Sequence, residues 1–301
     1  MTVRDLGWIF KHAIAGWWND NVPRLGASLA YYTLFALAPI LIVAITIAGL
    51  VFGADAVQRQ VTGEISGLVG DEGGRAVQAM LEGAAQRGGN GIATAIGLVT
   101  FFLGSTGAFL ELQTALNAIW RVKPRPDAGI KDMLLQRLLS FGLVVGVGFL
   151  LLVSLLVSAG LTALNHYLGG LFPEITVVWQ GVNTLVSLAV VTALFAMIYQ
   201  FLPDVKLRLR DVWVGALVTA GLFNIGKYLI GLYLGTSGVA TTYGAAGSVV
   251  VLLVWVYYSS QVVLLGAEFT RAYVERFGAR PAPMEHAEKD PEAKKVGDVG
   301  E

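Results

Sequence analysis

Residues 228–267 read YLIGLYLGTSGVATTYGAAGSVVVLLVWVYYSSQVVLLGA, a run bounded by Lys227 and Glu268 that contains no Asp, Glu, Lys or Arg. About 20 apolar residues in a helix cross the hydrocarbon core of a bilayer. This run is long enough for parts of two such helices, joined by the small, polar stretch Thr236–Ser248. A soluble domain does not need so long an uncharged segment, so the rest of the chain is read as membrane sequence.

Working outward, six apolar segments emerge: 27–52, 92–120, 138–164, 176–202, 212–235 and 245–269. The fold expected is an all-α membrane protein with six transmembrane helices. Composition agrees: 55% of residues are hydrophobic and 14% charged, against about 25% charged in an ordinary soluble domain. Mean hydropathy is +0.66. The formal net charge is zero, without the basic bias of a nucleic-acid binder, so no nucleic-acid partner is expected. Cysteine is absent, which removes disulfides, thiolate metal sites and cysteine nucleophiles. The first apolar run starts near Ala27, too late and too long for a cleaved signal peptide.

Basic residues set the orientation. Arg4, Lys11 and Arg24 precede the first span; Arg121, Lys123, Arg125, Lys131 and Arg137 follow the second; Lys206, Arg208 and Arg210 follow the fourth; Arg271, Arg276 and Arg280 follow the sixth. The loops after spans three and five carry no Lys or Arg. The positive-inside rule then places both termini in the cytoplasm.

The chain divides into residues 1–24, a cytoplasmic interfacial helix with its tryptophans at headgroup depth; residues 25–274, the six-span domain; and residues 275–301, a tail rich in Pro, Glu and Lys that is expected to be disordered. Within the domain, the amphipathic stretches Val57–Val69 and Arg75–Ala85, separated by Gly-Asp-Glu-Gly-Gly, predict an outer helical hairpin over 55–86 between spans one and two.

Polar side chains inside apolar spans are costly and usually face a bundle interior or an aqueous cavity. Lys227 shares a helix face with Ala220, Asn224, Gly231 and Gly235. Facing a cavity, it would accept an anionic group; it could equally snorkel to outer headgroups or pair with a carboxylate. Span two ends on Glu111, Gln113, Thr114 and Asn117, where interhelical hydrogen bonds are favoured over substrate contact. Span six carries Tyr257, Gln261 and Glu268 along one face; Glu268 has Arg271 one turn on, so a local ion pair is favoured for it, and Gln261 is the better cavity candidate. Tyr31 and Tyr32 lie just inside span one, which Pro39 interrupts. The candidate substrate-binding residues are thus Lys227, Asn224, Gln261, Tyr257, Tyr31, Tyr32, Glu111, Gln113, Asn117 and Glu268. The candidate gating residues are Pro39, Gly244 and Gly247, the two glycines lying in a stretch open to both a re-entrant and a plain outer-loop reading.

Several of these segments resemble the YihY/BrkB family of membrane proteins. They are Gly26-Ala-Ser-Leu-Ala-Tyr-Tyr-Thr-Leu-Phe-Ala-Leu-Ala-Pro39, Leu116-Asn-Ala-Ile-Trp120, Phe201-Leu-Pro-Asp-Val205, Tyr243-Gly-Ala-Ala-Gly-Ser248 and the run Trp255–Phe269, and they occur in the family's order. The resemblance covers nearly all of the chain except the tail. It implies a six-span bacterial inner-membrane protein, in a family linked to virulence and serum resistance, with related proteins linked to lipid or lipopolysaccharide transport. It brings no agreed catalytic residues. An older family label, ribonuclease BN, finds no chemistry here: metal-assisted hydrolysis needs clustered carboxylates or histidines, and His12, His166 and His286 are scattered.

The function expected is a transporter of a lipid, another amphiphile, or a small polar or anionic solute, with no ATPase of its own because no Walker-type glycine loop is present. The alternative is a non-transporting envelope scaffold. Neither catalysis, a cofactor nor a metal is expected. Membrane lipids are the expected partners, and the sequence leaves a homo-oligomer open.

Overall fold

The computed structural model describes residues 2–85, 107–126, 175–279 and 281–291. The third span (138–164), most of the second before residue 107, the loop residues Lys131, Arg137 and His166, and the tail beyond 291 lie outside the described residues.

What is described is mostly helical. Helix α1 covers Val3–Asn19 and α2 Val22–Phe52. The break between them falls at Asn21, which takes a left-handed conformation (φ 53°) that Asn tolerates better than most residues. Pro23 then sits in the first turn of α2, where its missing N–H costs nothing. Helix α2 runs through position 39 without a break. Pro39 therefore removes one rung from the ladder but does not interrupt the span as the sequence suggested.

Glycines with positive φ mark the next two turns, at Gly53 and Gly70, both φ 84°. Helix α3 (Ala54–Val69) and helix α4 (Asp71–Ala85) between them form the expected hairpin. The turn is tighter than predicted, because Asp71 to Gly74 join α4. An acidic first turn suits the positive end of the helix dipole.

Residues 107–120 are helical (α5) and end at Arg121, a non-glycine residue at φ 57°. Strand β1 (Val122–Pro124) follows. Helix α6 (Ile175–Phe201) leads into β2 (Val205–Lys206), then α7 (Leu209–Thr236). The stretch 236–248 is neither an extended loop nor unwound throughout. It holds a short helix α8 (Val239–Thr242) and a 3-10 turn (Gly244–Ala246) before α9 (Gly247–Phe277). Gly244 has φ 52°, whereas Gly247 is already helical.

Three helical stretches among the described residues are long and apolar enough to cross a membrane: 184–201 in α6, all of α7 and all of α9. At 1.5 Å per residue α7 and α9 reach about 42 and 46 Å.

The tail corrects an expectation. Residues 281–291 are ordered, with β3 (Ala282–Pro283) antiparallel to β2 and β4 (Ala287–Lys289) antiparallel to β1. The tail does lack large apolar side chains, but its order comes from backbone pairing to two loop strands, which composition does not report.

The described residues form two compact units, 2–13, 116–126, 175–221, 266–279 and 281–291 in the first, and 14–85, 107–115 and 222–265 in the second. In the first unit, Ile9 and Ala13 pack on Phe269 and Ala272, and Trp120, Val122, Val205 and Val274 form a second cluster. Its helices meet through reciprocal Gly/Thr pairs. A methyl on Gly215 would strike Thr270, and one on Gly266 would strike Thr219. Each threonine returns its hydroxyl to its own helix, Thr219 to Gly215 O and Thr270 to Gly266 O, both at 2.7 Å. Small residues at such crossings let helix backbones approach closely.

In the second unit, Ala76, Val77 and Leu81 of the hairpin pack with Ala30, Ile45, Val251, Leu252 and Val256. The hairpin is thereby fixed to α2 and α9.

Candidate functional site

Among the described residues of the first unit, a buried polar cluster joins two of the segments that carry the family resemblance. Asn117, near the end of α5, donates from Nδ2 to Asp204 Oδ2 at 2.7 Å, and its Oδ1 accepts the Asp204 backbone N–H at 2.8 Å. Both residues are buried. The other Asp204 oxygen meets His286 Nε2 at 3.1 Å. Around this pair the tail is tied down by the Met284 N–H on Asp204 O, the Arg125 N–H on His286 O and the Asp290 N–H on Arg121 O, each 3.0 Å. Lys123 lies 3.7 Å from Glu288 and Lys206 3.9 Å from Glu285. Basic loop residues that topology alone could account for therefore also face an acidic tail.

One helix away in the same unit, Arg271 Nη1 donates to Ile119 O at 2.6 Å and lies 3.4 Å from Glu268 Oε2, while its Nε lies 3.3 Å from Glu275. Glu268 and Arg271 are 1% and 4% exposed. Removing one partner of a buried pair leaves an uncompensated charge. These groups are consumed by one another, and their arrangement is that of a junction holding chain segments together.

The second unit carries most of the remaining candidates. Trp17 Nε1 donates to Gln261 Oε1 at 3.0 Å. The Gln261 Nε2 rests directly on Gly26, where a methyl would collide with it, and that nitrogen is buried without a hydrogen-bond partner. Tyr257 packs against the hairpin core. Tyr31 and Tyr32 are exposed and edge-to-face, 5.6 Å between ring centres, with Phe35 extending the row at 4.9 Å from Tyr31. Glu111 and Gln113 are half-buried on α5. Of Pro39 only its place within the unbroken α2 is described.

Lys227 is half-buried on α7, with its ammonium 5.4 Å from the Tyr228 ring centre. Its flanks show which way that part of the helix faces. Gly226 and Ile230 are buried, while Ile225, Tyr228, Leu229 and Leu232 are exposed. At about 100° per residue Lys227 falls between the buried Ile230 and the exposed Gly231. Asn224, one turn earlier, is also half-buried; Gly231 and Gly235 are exposed. Close packing in this unit uses Gly226 instead, on which the Tyr258 ring lies.

Sequence reasoning assigned no role to Asp204 or His286, and it offered Trp17 only as a headgroup anchor, whereas the Trp17 indole N–H is bonded to Gln261. Asp204 sat inside the quoted Leu-Pro-Asp-Val segment, and its isolation between apolar neighbours was the available signal. His286 was lost to the assumed disorder of the tail. Among the described residues, no group of three His, Asp or Glu side chains is placed to hold a metal ion.

Long apolar helices bearing buried polar junctions define a helical membrane protein. The chain belongs to the family described as virulence factor BrkB, whose model matches residues 13–291. Its relatives include a UPF0761 membrane protein of Psychrobacter sp. (strain PRwf-1), 30% identical over 86% of this chain and 47% of the relative. Another, from Rhodospirillum centenum, is 33% identical over 89% of this chain and 57% of its own length. A third, from Pseudomonas paraeruginosa, is 29% identical over 83% and 58%. The chain thus spans about half the length of the curated relatives it matches. No solved structure matches it.

Proposed function

We propose that this chain is a six-span protein of the bacterial inner membrane, both termini cytoplasmic and the hairpin outside, that moves a lipid, an amphiphile or a small polar or anionic solute across the bilayer without hydrolysing ATP. The observation that carries the reading is Lys227, a half-buried cation in an apolar helix, one turn from Asn224. A lysine held there exacts a free-energy cost that an anionic group in transit would offset. The reading includes no catalytic step.

The second reading, an envelope scaffold, draws on the hairpin, whose polar side is open while its apolar side is packed. The test is reconstitution of the purified protein in liposomes, following scrambling of a fluorescent anionic phospholipid and efflux of small polar solutes, in wild type and Lys227→Ala. Movement of either class, reduced by Lys227→Ala, supports transport. No movement, with Lys227→Ala complementing a deletion strain normally, overturns it in favour of the scaffold.

A further inference from the structure

The hairpin carries a cleft of about 390 Å³ lined by Asp55, Gln58, Arg59, Thr62, Gly63, Ser66 and Gln78. The first six lie on α3 at steps of three and four residues, so they share one helix face. A polar helix face is normally convex and solvated. Here it is concave, for two reasons visible in the helices. Gly63 contributes no side chain, and a methyl there would meet nothing within 4 Å. At the hairpin's closed end, α3 and α4 touch so closely that a methyl on Gly74 would lie 3.0 Å from Ser66 Cβ. On the α4 side, Gln78 is oriented by donating to Glu82 at 2.9 Å. The opposite face, with Val57, Val61, Ile65 and Met80, is packed against the second unit's core. The cleft is therefore an open hollow on the hairpin surface, with a volume at the low end of the range of about 300–1,000 Å³ usual for ligand clefts.

Its chemistry is specific. The lining offers one guanidinium, one carboxylate, two amides and two hydroxyls, and no apolar side chain. Guanidinium matches phosphate oxygens, carboxylate matches an ammonium, and amides and hydroxyls match either hydroxyls or remaining phosphate oxygens. We propose that the hairpin cleft binds a zwitterion carrying a phosphate and an amine, the chemistry of a phosphoethanolamine group, with Arg59 on the phosphate and Asp55 on the amine. The proposal goes beyond the transport reading and holds for a scaffold as well, because it concerns binding only.

The experiment uses the full chain in nanodiscs of phosphatidylglycerol and titrates soluble glycerophosphoethanolamine calorimetrically, with glycerophosphate as comparator. Saturable binding of the zwitterion is expected. Gly63→Leu fills open space without a clash, so it should not lower the melting temperature while weakening binding about tenfold or more. Asp55→Asn should weaken the zwitterion and strengthen glycerophosphate, a reversal of preference that damage to the fold would not produce. Adding phosphatidylethanolamine to the nanodisc separates the two sources of this chemistry: competition with the soluble probe assigns a lipid headgroup, and its absence assigns a free solute. Absence of saturable binding, or binding that Gly63→Leu leaves intact, overturns the site.

Discussion

Asn117 and Asp204, 87 positions apart, exchange two hydrogen bonds, amide nitrogen to carboxylate at 2.7 Å and backbone N–H to amide oxygen at 2.8 Å. Each group satisfies the other where water is excluded. Asn117→Ala strands both a carboxylate oxygen and a backbone N–H, and should cost about 2–4 kcal/mol, since each unsatisfied buried group costs about 1–3 and charged ones more. Asn117→Asp should be worse, because it opposes two carboxylates. Thermal unfolding in detergent checks both; a melting temperature unchanged in Asn117→Ala would show that the junction does not hold the fold.

The tail gives the second prediction. Arg125, Met284 and Asp290 each donate a backbone N–H across the strap formed by β1 to β4. Hydrogen exchange in these amides should be slower than in an unstructured chain, and His286→Ala should speed it at Met284 through loss of the side-chain contact to Asp204. Unprotected amides throughout 281–291 would restore the disordered tail.

The sequence made the apolar helices legible because a bilayer imposes length and composition on every segment that crosses it. Boundaries of α6 and α7 fall within a few residues of the expected spans. The hairpin was legible from its amphipathic stretches. The tail was not, because backbone pairing between 122–124 and 287–289 has no compositional signature over so few residues. Asn117 was legible as a polar group at a helix end, but its partner was not, since nothing local links residues 117 and 204. The glycines of α7 that pack were not legible either. Gly231 and Gly235 stood out in sequence, yet Gly215 and Gly226 are the positions another helix approaches.

That last contrast is testable. Gly215→Ala and Gly266→Ala should each destabilise by about 1–3 kcal/mol, the usual cost of overpacking, because the added methyl meets a threonine whose hydroxyl is already committed. Gly221→Ala, on the same helix as Gly215 but with open space around it, should be neutral or stabilise by up to about 1 kcal/mol through helix propensity. Equal effects at all three positions would deny the reciprocal Gly/Thr contact.

Acid should loosen the start of α1. The Asp5 carboxyl is held down at about 2 by the backbone N–H and hydroxyl of Thr2, and then by Arg276, whose Nη2 lies 3.0 Å away. A carboxyl whose folded pKa is depressed stabilises the fold above its unfolded value of about 3.9 and loses that contribution as pH falls toward the folded value. The melting temperatures of wild type and Asp5→Asn should therefore differ by a constant amount above about pH 5 and converge between about pH 4 and 2. A difference that persists unchanged at pH 2 would mean that the Asp5 charge is not its source.

Helix α1 also presents an exposed apolar stripe, touched at Phe10 by the Phe269 ring 5.2 Å away. Ile9 and Ala13 are buried, but Val3, Leu6, Phe10, Ile14 and Trp18, at steps of three and four residues, are exposed. Arg4 and Lys11 border the stripe. An apolar stripe edged by basic residues suits a helix lying in the bilayer interface, its apolar face about 5–10 Å into the headgroup boundary. Because the chain has no cysteine, single cysteines can be placed without background. A spin label at Ile14→Cys in anionic vesicles should be reached by oxygen and shielded from a water-soluble nickel relaxant, and one at Lys11→Cys should show the reverse. Nickel access at both positions would put the stripe in water. Spin–spin broadening at Ile14→Cys would instead cover it with a second copy of the chain.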